Sequence, residues 1–179
     1  KDNFISIKKI CNLLNDSSSG RISFFEGDIL DKEFLRNTFH RAKLEKNTIL
    51  AVIHFAGLKS VNESIENPIS YWETNVYGTI NLLSVMEEYD CKKLVFSSSA
   101  TVYKPQINKL IKEESELGPI NPYGTTKLAI ENLLRNLVLK KYHDWKIINL
   151  RYFNPVGAHP SGLIGESPKG NPNNLFPIL

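Results

Sequence analysis

Short apolar runs ending in small or polar residues alternate in this chain with longer stretches of helical periodicity, and that alternation narrows the possible folds sharply. Arg21 to Ile29, Ile49 to Phe55, Lys93 to Ser98 and Lys146 to Phe153 read as strands. The run Ile49 to Phe55 is almost continuously apolar, which suits a strand buried on both faces, as parallel strands are. Asp31 to Leu44 has helical spacing, with Asp31 as its N-cap. Asn67-Pro68 opens a helix through Tyr71, Val76, Ile80, Leu83 and Met86 to Tyr89. Asn121-Pro122 opens another to about Lys141, each proline sitting where its missing N–H does no harm. Phe4, Ile7, Ile10, Leu13 and Leu14 mark a further helix, broken by Ser17-Ser18-Ser19-Gly20. From Asn154 onward Gly, Pro and Asn predict loops. Strands alternating with helices mean βαβ units, and right-handed crossovers make this an α/β protein with a doubly wound parallel sheet of Rossmann type.

Composition excludes several other classes. With 41% hydrophobic and 23% charged residues over 179 positions, the chain has the make-up of a globular domain with a real core. The net charge of +3 is spread over isolated pairs such as Lys8-Lys9, Lys92-Lys93 and Lys140-Lys141, so no nucleic-acid face is expected. No apolar run nears the roughly 20 residues of a membrane helix. Lys1-Asp2-Asn3-Phe4 does not read as a signal peptide, and none is expected. Cys11 and Cys91 match no metal-ligand spacing, which predicts no metal site and free thiols in a reducing cytoplasm.

Ligands of open parallel sheets bind beyond the carboxyl ends of the strands. The four predicted strands end at Gly27-Asp28-Ile29, His54-Phe55-Ala56-Gly57, Ser97-Ser98-Ser99 and Phe153-Asn154, and together these endings predict a cleft. Ala56-Gly57 lacks bulk, so backbone can approach a cofactor there, although a plain turn would read the same. Asp28 suits either a hydrogen bond to an adenine amine or a turn. His54, inside an apolar run, reads as a packed core histidine. His143 and His159 receive no role. Glu113-Glu114-Ser115-Glu116 reads as a solvated loop.

Tyr123 and Lys127, four apart on a predicted helix, share one face a turn apart. A tyrosine phenol ordinarily titrates near 10, and a neighbouring ammonium lowers that value, which makes a general base from a weak acid. Alone, such a pair is commonly a surface feature. Here it opens the helix that follows Ser97-Ser98-Ser99, so Tyr123, Lys127 and Ser99 are expected at one cleft, with the Ser99 hydroxyl holding a substrate oxygen.

At these residues the chain strongly resembles the nucleotide-sugar epimerases of the extended short-chain dehydrogenase/reductase family, with details closer to fungal than to bacterial members. The matching segments are Val52-Ile53-His54-Phe55-Ala56-Gly57-Leu58-Lys59, Phe96-Ser97-Ser98-Ser99-Ala100-Thr101-Val102-Tyr103, Asn121-Pro122-Tyr123-Gly124, Leu150-Arg151-Tyr152-Phe153-Asn154-Pro155-Val156-Gly157-Ala158-His159-Pro160 and Asn171-Pro172-Asn173-Asn174-Leu175. The resemblance spans about residues 22 to 179. It implies NAD as cofactor and interconversion of UDP-glucose and UDP-galactose by oxidation and re-reduction at sugar C4. Tyr123 would be the base, Lys127 would hold the nicotinamide ribose, and Ser99 would bond the sugar hydroxyl. Asp28 and Ile29 would flank the adenine; Phe55, Ala56, Gly57 and Lys59 would line the pyrophosphate and ribose path, with Asn75 nearby and Phe153 against the nicotinamide. Asn154, Asn174 and Leu175 would contact the UDP-sugar. It also implies an NAD-binding domain over residues 1–155, the start of a UDP-sugar-binding region over 156–179, and a homodimer formed through the helices near 67–89 and 123–141.

The chain departs from the family pattern where the glycine-rich loop of the first strand and the acid after the second are missing, and where Lys104 replaces a glycine. An internal piece of a longer protein is therefore expected, lacking most of the substrate-capping region, binding NAD weakly and turning over little by itself. Two alternatives stand beside the epimerase: another nucleotide-sugar enzyme such as a dehydratase, and a non-catalytic nucleotide-binding module. Ala100-Thr101-Val102 supplies no acid for elimination, which speaks against a dehydratase. Retention of Tyr123, Lys127 and Ser99 speaks against the module.

Overall fold

The structure is a computed structural model that describes residues 22–107, 109–139 and 144–165, together with Lys9. Apart from Lys9, the helix expected over Phe4 to Leu14 lies outside the described residues, as do Asn174 and Leu175. The chain divides into two compact units, Gly27–Phe153 in one and Lys1–Glu26 with Asn154–Leu179 in the other. The elements below all belong to Gly27–Phe153. In the other unit, residues 154–165 form turns and bends, as the Gly, Pro and Asn content predicts.

Helix α1 (Lys32–Leu44) begins where expected: Asp31 Oδ1 accepts from the Phe34 N–H at 2.9 Å, and Arg41 and Lys43 sit in the last turn near the dipole's negative end. Strand β1 (Val52–His54) leads to a short helix absent from the sequence-based expectation, α2 (Val61–Glu66), which Ser60 caps by accepting from Glu63 N–H at 3.3 Å. The helix opened by Pro68 is not uniformly α. It runs as α3 (Pro68–Tyr71), widens into a π-helical segment (Trp72–Tyr77), and resumes as α4 (Gly78–Glu88). In the wide turn the Asn75 carbonyl accepts from the Thr79 hydroxyl at 2.5 Å, a side-chain insertion of the kind that disturbs a helical ladder. Strand β2 (Lys93–Ser99), a 3₁₀ turn (Ala100–Val102), helix α5 (Pro122–Leu139) and strand β3 (Lys146–Tyr152) complete the unit.

The strands pair in parallel in the order β1-β2-β3, in register Val52↔Leu94↔Ile147 and Ser99↔Tyr152. Parallel strands need helical crossovers, so all three strands end at one edge, the edge at which α5 begins. This is the α/β class with a parallel, Rossmann-type sheet expected above.

Period-two alternation assigns each strand residue to a face. Val52, Leu94, Phe96 and Ile147 point toward the helices and pack with Phe39 of α1, Leu82, Val85 and Met86 of α4, and Ile130 and Leu134 of α5. A large apolar side chain buried in this way contributes about 1.5–3 kcal/mol. Phe96→Ala, at the centre of the layer, would cost about 3–5 kcal/mol.

Two expectations are corrected here. The run Ile49 to Phe55 is not buried on both faces: Ile53 is 64% exposed, and Ile148, two strands away in the same row (Ile53↔Val95↔Ile148), is 58% exposed. The helices that supply the core all pack on the opposite face. Arg21 to Ile29 is also not a strand where it is described, because residues 22–28 join no ladder among the described residues. A strand exists only with a hydrogen-bonded neighbour, and β1, the nearest in sequence, pairs with β2 alone.

Candidate active site

Helix α5 starts hard against the end of β2. Asn121 Oδ1 caps it, accepting from Gly124 N–H at 2.8 Å. A side chain at Gly124 would place its Cβ 2.6 Å from the Thr101 carbonyl oxygen, so the glycine after Tyr123 lets the helix approach the 3₁₀ turn. Tyr123 is thereby held beside Ser99. Its N–H donates to Ser64 Oγ at 3.2 Å, and its ring meets that of Tyr71 edge-on at 6.4 Å.

Lys127 is 5% exposed, and its ammonium donates to the Ser97 carbonyl at 2.8 Å. It lies 4.9 Å from the Phe96 ring centroid and 5.7 Å from that of Tyr123. Burial lowers its pKa to about 8. The Tyr123 phenol is shifted the opposite way from expectation: burial raises it, and a hydrogen bond with Ser99 opposes the rise. Desolvation of the phenolate outweighs the pull expected from the lysine, whose ammonium is anchored on the strand. Ser99 Oγ also accepts from the Thr101 N–H at 3.2 Å and from the Thr101 hydroxyl at 2.9 Å.

The end of β1 closes on the same point. Gly57 has φ +153°, and a Cβ there would lie 2.8 Å from Asn75 Oδ1 and 4.0 Å from the Lys127 ammonium. Asn75, 2% exposed, accepts from Leu58 N–H at 2.8 Å and donates to the Leu58 carbonyl at 3.1 Å and to Thr126 Oγ1 at 3.3 Å. Its amide is thus committed to tying the loop after β1 to α5. His54 is the core histidine expected, 3% exposed, with Nε2 2.9 Å from Thr79 Oγ1.

Tyr123, Lys127, Ser99, Gly57 and Asn75 therefore converge. Asp28 and Ile29, the residues expected to flank an adenine, lie elsewhere on the unit. Asp28 Oδ1 accepts from Leu30 N–H at 2.9 Å, as a turn residue does, and Ile29 packs where a Gly78 side chain would sit, 2.7 Å from its Cγ2. Ala56 and Lys59 are exposed; Phe55 is 64% and Phe153 63% exposed, and the Phe55 and Tyr152 rings stand 6.5 Å apart. Asn154 belongs to the other unit. Among the described residues no cluster of three or more His, Cys, Asp or Glu is placed to hold a metal, and no helix is long and apolar enough to cross a membrane.

Sequence reasoning missed Thr126, Ser98, Glu131 and Arg151. Glu131, 1% exposed, bonds Ser98 Oγ at 2.5 Å and Arg151 through both its oxygens. One signal was available, because Glu131 follows Tyr123 and Lys127 at two successive four-residue steps and so shares their buried face.

A phenol, an ammonium and a serine hydroxyl at the carboxyl edge of a parallel sheet define a class: a Rossmann-type protein with a site suited to moving a proton at an alcohol. The profile of the NAD dependent epimerase/dehydratase family matches residues 3–178, and the chain belongs to that family. UDP-glucose 4-epimerase 2 of Arabidopsis thaliana is 50% identical over 174 residues, 97% of this chain and 48% of the relative. The UDP-glucose 4-epimerase of Yersinia enterocolitica is 49% identical over 179 residues, 94% of this chain and 52% of its own. Among solved structures, a Stenotrophomonas maltophila UDP-glucose 4-epimerase with NAD and formylated UDP-arabinopyranose has a TM-score of 0.77 at 45% identity, covering 86% of this chain and 44% of its own. A Bifidobacterium longum enzyme with NAD+ and UDP has a TM-score of 0.76 at 48% identity, with the same coverages of 86% and 44%. The chain spans about half the length of the curated relatives it matches.

Proposed function

We propose that the protein is a UDP-glucose 4-epimerase, interconverting UDP-glucose and UDP-galactose with NAD as cofactor. The observation that carries this reading is the convergence of Tyr123, Lys127 and Ser99 beside the Gly57 backbone. The residues fit a dinucleotide. At Gly57 a Cβ would lie 2.8 Å from Asn75 Oδ1, too close for a side chain to fit unless Asn75 moves, which leaves bare backbone at the strand end. An ammonium has three donors, and the Ser97 carbonyl takes one from Lys127, so ribose hydroxyls are suitable partners for the others. Asp28 and Ile29 would flank the adenine, Phe55, Ala56, Gly57, Lys59 and Asn75 the pyrophosphate and ribose, and Phe153 the nicotinamide. Bound NAD would supply the acceptor, and on return the donor, of the C4 hydride.

The chain's own residues handle the proton. Ser99 holds the sugar O4, and Tyr123 removes the proton from that oxygen as C4 is oxidised and returns it as C4 is reduced. Burial that raises the phenol also excludes water from it, and the cationic Lys127 stabilises the phenolate at the moment it is needed. Asn154, Asn174 and Leu175 are assigned to the UDP-sugar, with residues 1–155 as the NAD-binding domain and 156–179 as the start of the sugar-binding region. The turn Ala100–Val102 after Ser99 offers no carboxylate for elimination, which favours epimerisation over dehydration.

We further assign the protein to the cytoplasm, in keeping with the free, buried Cys91 thiol. A homodimer through the two long helical stretches is supported by exposed apolar residues on both: Ile69 (81%), Trp72 (43%) and Tyr77 (55%) on one, Val138 (47%) and Leu139 (74%) on the other. The decisive assay incubates the full-length protein with UDP-galactose and no added NADH. UDP-glucose is the expected product; a 4-keto-6-deoxy sugar, or no conversion, overturns the reading.

A further inference from the structure

The face of α5 that carries Tyr123 and Lys127 continues to Glu131, a carboxylate only 1% exposed. A buried charge costs several kcal/mol unless it is paired and hydrogen-bonded. Glu131 is fully engaged: Oε1 accepts from Ser98 Oγ at 2.5 Å and Arg151 Nε at 3.0 Å, and Oε2 accepts from Arg151 Nη2 at 2.7 Å. The two-pronged contact uses the planar fork of the guanidinium, which fixes direction as well as distance. The same guanidinium reaches further. Nη1 donates to the Tyr103 hydroxyl and to the Glu113 carbonyl, each at 3.0 Å, and its carbon stands 4.9 Å from the Tyr103 ring centroid.

Arg151 therefore joins β3, α5, the end of β2 and the loop that follows. That loop is the chain's route from Ser99 to Tyr123. Its base is closed by the antiparallel bridge Tyr103↔Leu117, with Lys104 N–H donating to the Glu116 carbonyl at 2.9 Å and Gly118 N–H to the Val102 carbonyl at 3.0 Å. Its far side is held by Arg151 at Glu113. An apolar pair would fill the same space without the desolvation cost, but it would lack the fork that points at three partners.

We propose that Glu131 and Arg151 are positioning residues, a brace that clamps the 103–118 loop to the catalytic helix and so sets the spacing between Ser99 and Tyr123. The proposal rests on the functional reading above, in which those two hydroxyls act on one sugar oxygen. Neither Glu131 nor Arg151 touches the reacting atoms.

The test is the double variant Glu131→Gln/Arg151→Met in the full-length protein, which removes both buried charges together and leaves neither unpaired. Amide exchange at Lys104 and Gly118, measured without substrate or cofactor, should accelerate by about tenfold or more while exchange at Leu94 stays unchanged. With UDP-galactose, kcat should fall by roughly 10- to 100-fold, the order expected from misplacing a reacting group by a fraction of an ångström, with KM within about threefold. Should the double variant fail to fold, Tyr103→Phe deletes the hydroxyl that accepts from Arg151 Nη1 and should produce the same acceleration at Lys104 and Gly118 on a smaller scale. Unchanged exchange at these two amides, or an unchanged kcat in a variant whose loop exchanges faster, overturns the proposal. Wild-type protein inert toward UDP-galactose, with loop exchange still responding, would count against the epimerase assignment and leave the brace supported.

Discussion

The Lys127 ammonium donates to the Ser97 carbonyl at 2.8 Å, so the lysine of the site is fastened to the strand and faces the Tyr123 ring at 5.7 Å. The cation is thus positioned by backbone, before any ligand bond is counted. Burial is what this position costs, and it sets the protonation behaviour of both neighbours.

For Lys127 the sign is definite. Its pKa falls from 10.5 to about 8, so between those values the unfolded chain holds a proton that the folded chain has shed. Stability therefore rises with pH through that window, and below pH 8 the full penalty of about 3 kcal/mol applies. Lys127→Met removes the penalty and loses one charge-assisted hydrogen bond worth about 1.5–3 kcal/mol. Urea unfolding should show the difference in stability, variant minus wild type, shrinking by about 3 kcal/mol between pH 7 and pH 10.5. A difference that does not change with pH would mean that Lys127 titrates normally. Turnover should be lost in the variant at every pH.

Tyr123→Phe removes a single oxygen from a residue whose ring packs against Tyr71 at 6.4 Å, so the fold should survive. If Tyr123 is the proton acceptor, kcat with UDP-galactose should fall by about 10²- to 10⁴-fold. Circular dichroism and the melting temperature should stay close to wild type. Unchanged turnover in the folded variant would remove Tyr123 from the chemistry.

Much of this site was legible in the residues, and the reasons are local. Tyr123 and Lys127 share a face because helices have a fixed pitch, and Ser99 ends a strand because the apolar run stops there. The Asp31 cap and the Pro68 and Pro122 helix starts follow from backbone donors that a sequence displays directly. What escaped depends on distant pairing. Nothing local says that the helix widens around Asn75, that Asn75 binds the Leu58 backbone, or that Glu131 meets Arg151 of a distant strand. The burial that raises Tyr123 also comes from packing, so the expected fall in its pKa could not be checked by spacing alone. The segment 22–28 has a strand's composition, but composition supplies no partner.

Gly57 gives a backbone test. Its φ of +153° is one that L side chains rarely adopt, and a Cβ would sit 2.8 Å from Asn75 Oδ1. Gly57→Ala should therefore cost about 1–3 kcal/mol from strain alone. It should also push Asn75 off the Leu58 N–H and carbonyl, leaving part-buried backbone groups unpaired at no more than about 1–3 kcal/mol each. Asn75→Ala should reproduce the second loss without the first. The two variants and their double, compared by urea unfolding, should be less than additive because they disturb one contact. Full additivity would show that Gly57 does not act through Asn75.

His54 gives a pH test that is separate from catalysis. Thr79 Oγ1 donates to the Asn75 carbonyl at 2.5 Å, so it accepts from His54, which assigns the ring proton to Nε2. Burial first, and the Lys127 charge second, lower the His54 pKa from 6.5 to about 4. Between those values the unfolded chain binds a proton that the folded chain refuses. The stability His54 contributes is complete above pH 6.5 and is lost as the pH falls toward 4, by about 3 kcal/mol over the window. His54→Gln keeps an N–H donor for Thr79 and cannot titrate. Its unfolding free energy should change with pH less steeply than wild type between 6.5 and 4, by up to one proton's worth of slope, and the two slopes should match above pH 7. Equal slopes across the acid window would mean that His54 takes up its proton as readily in the folded protein as in the unfolded chain, despite its burial.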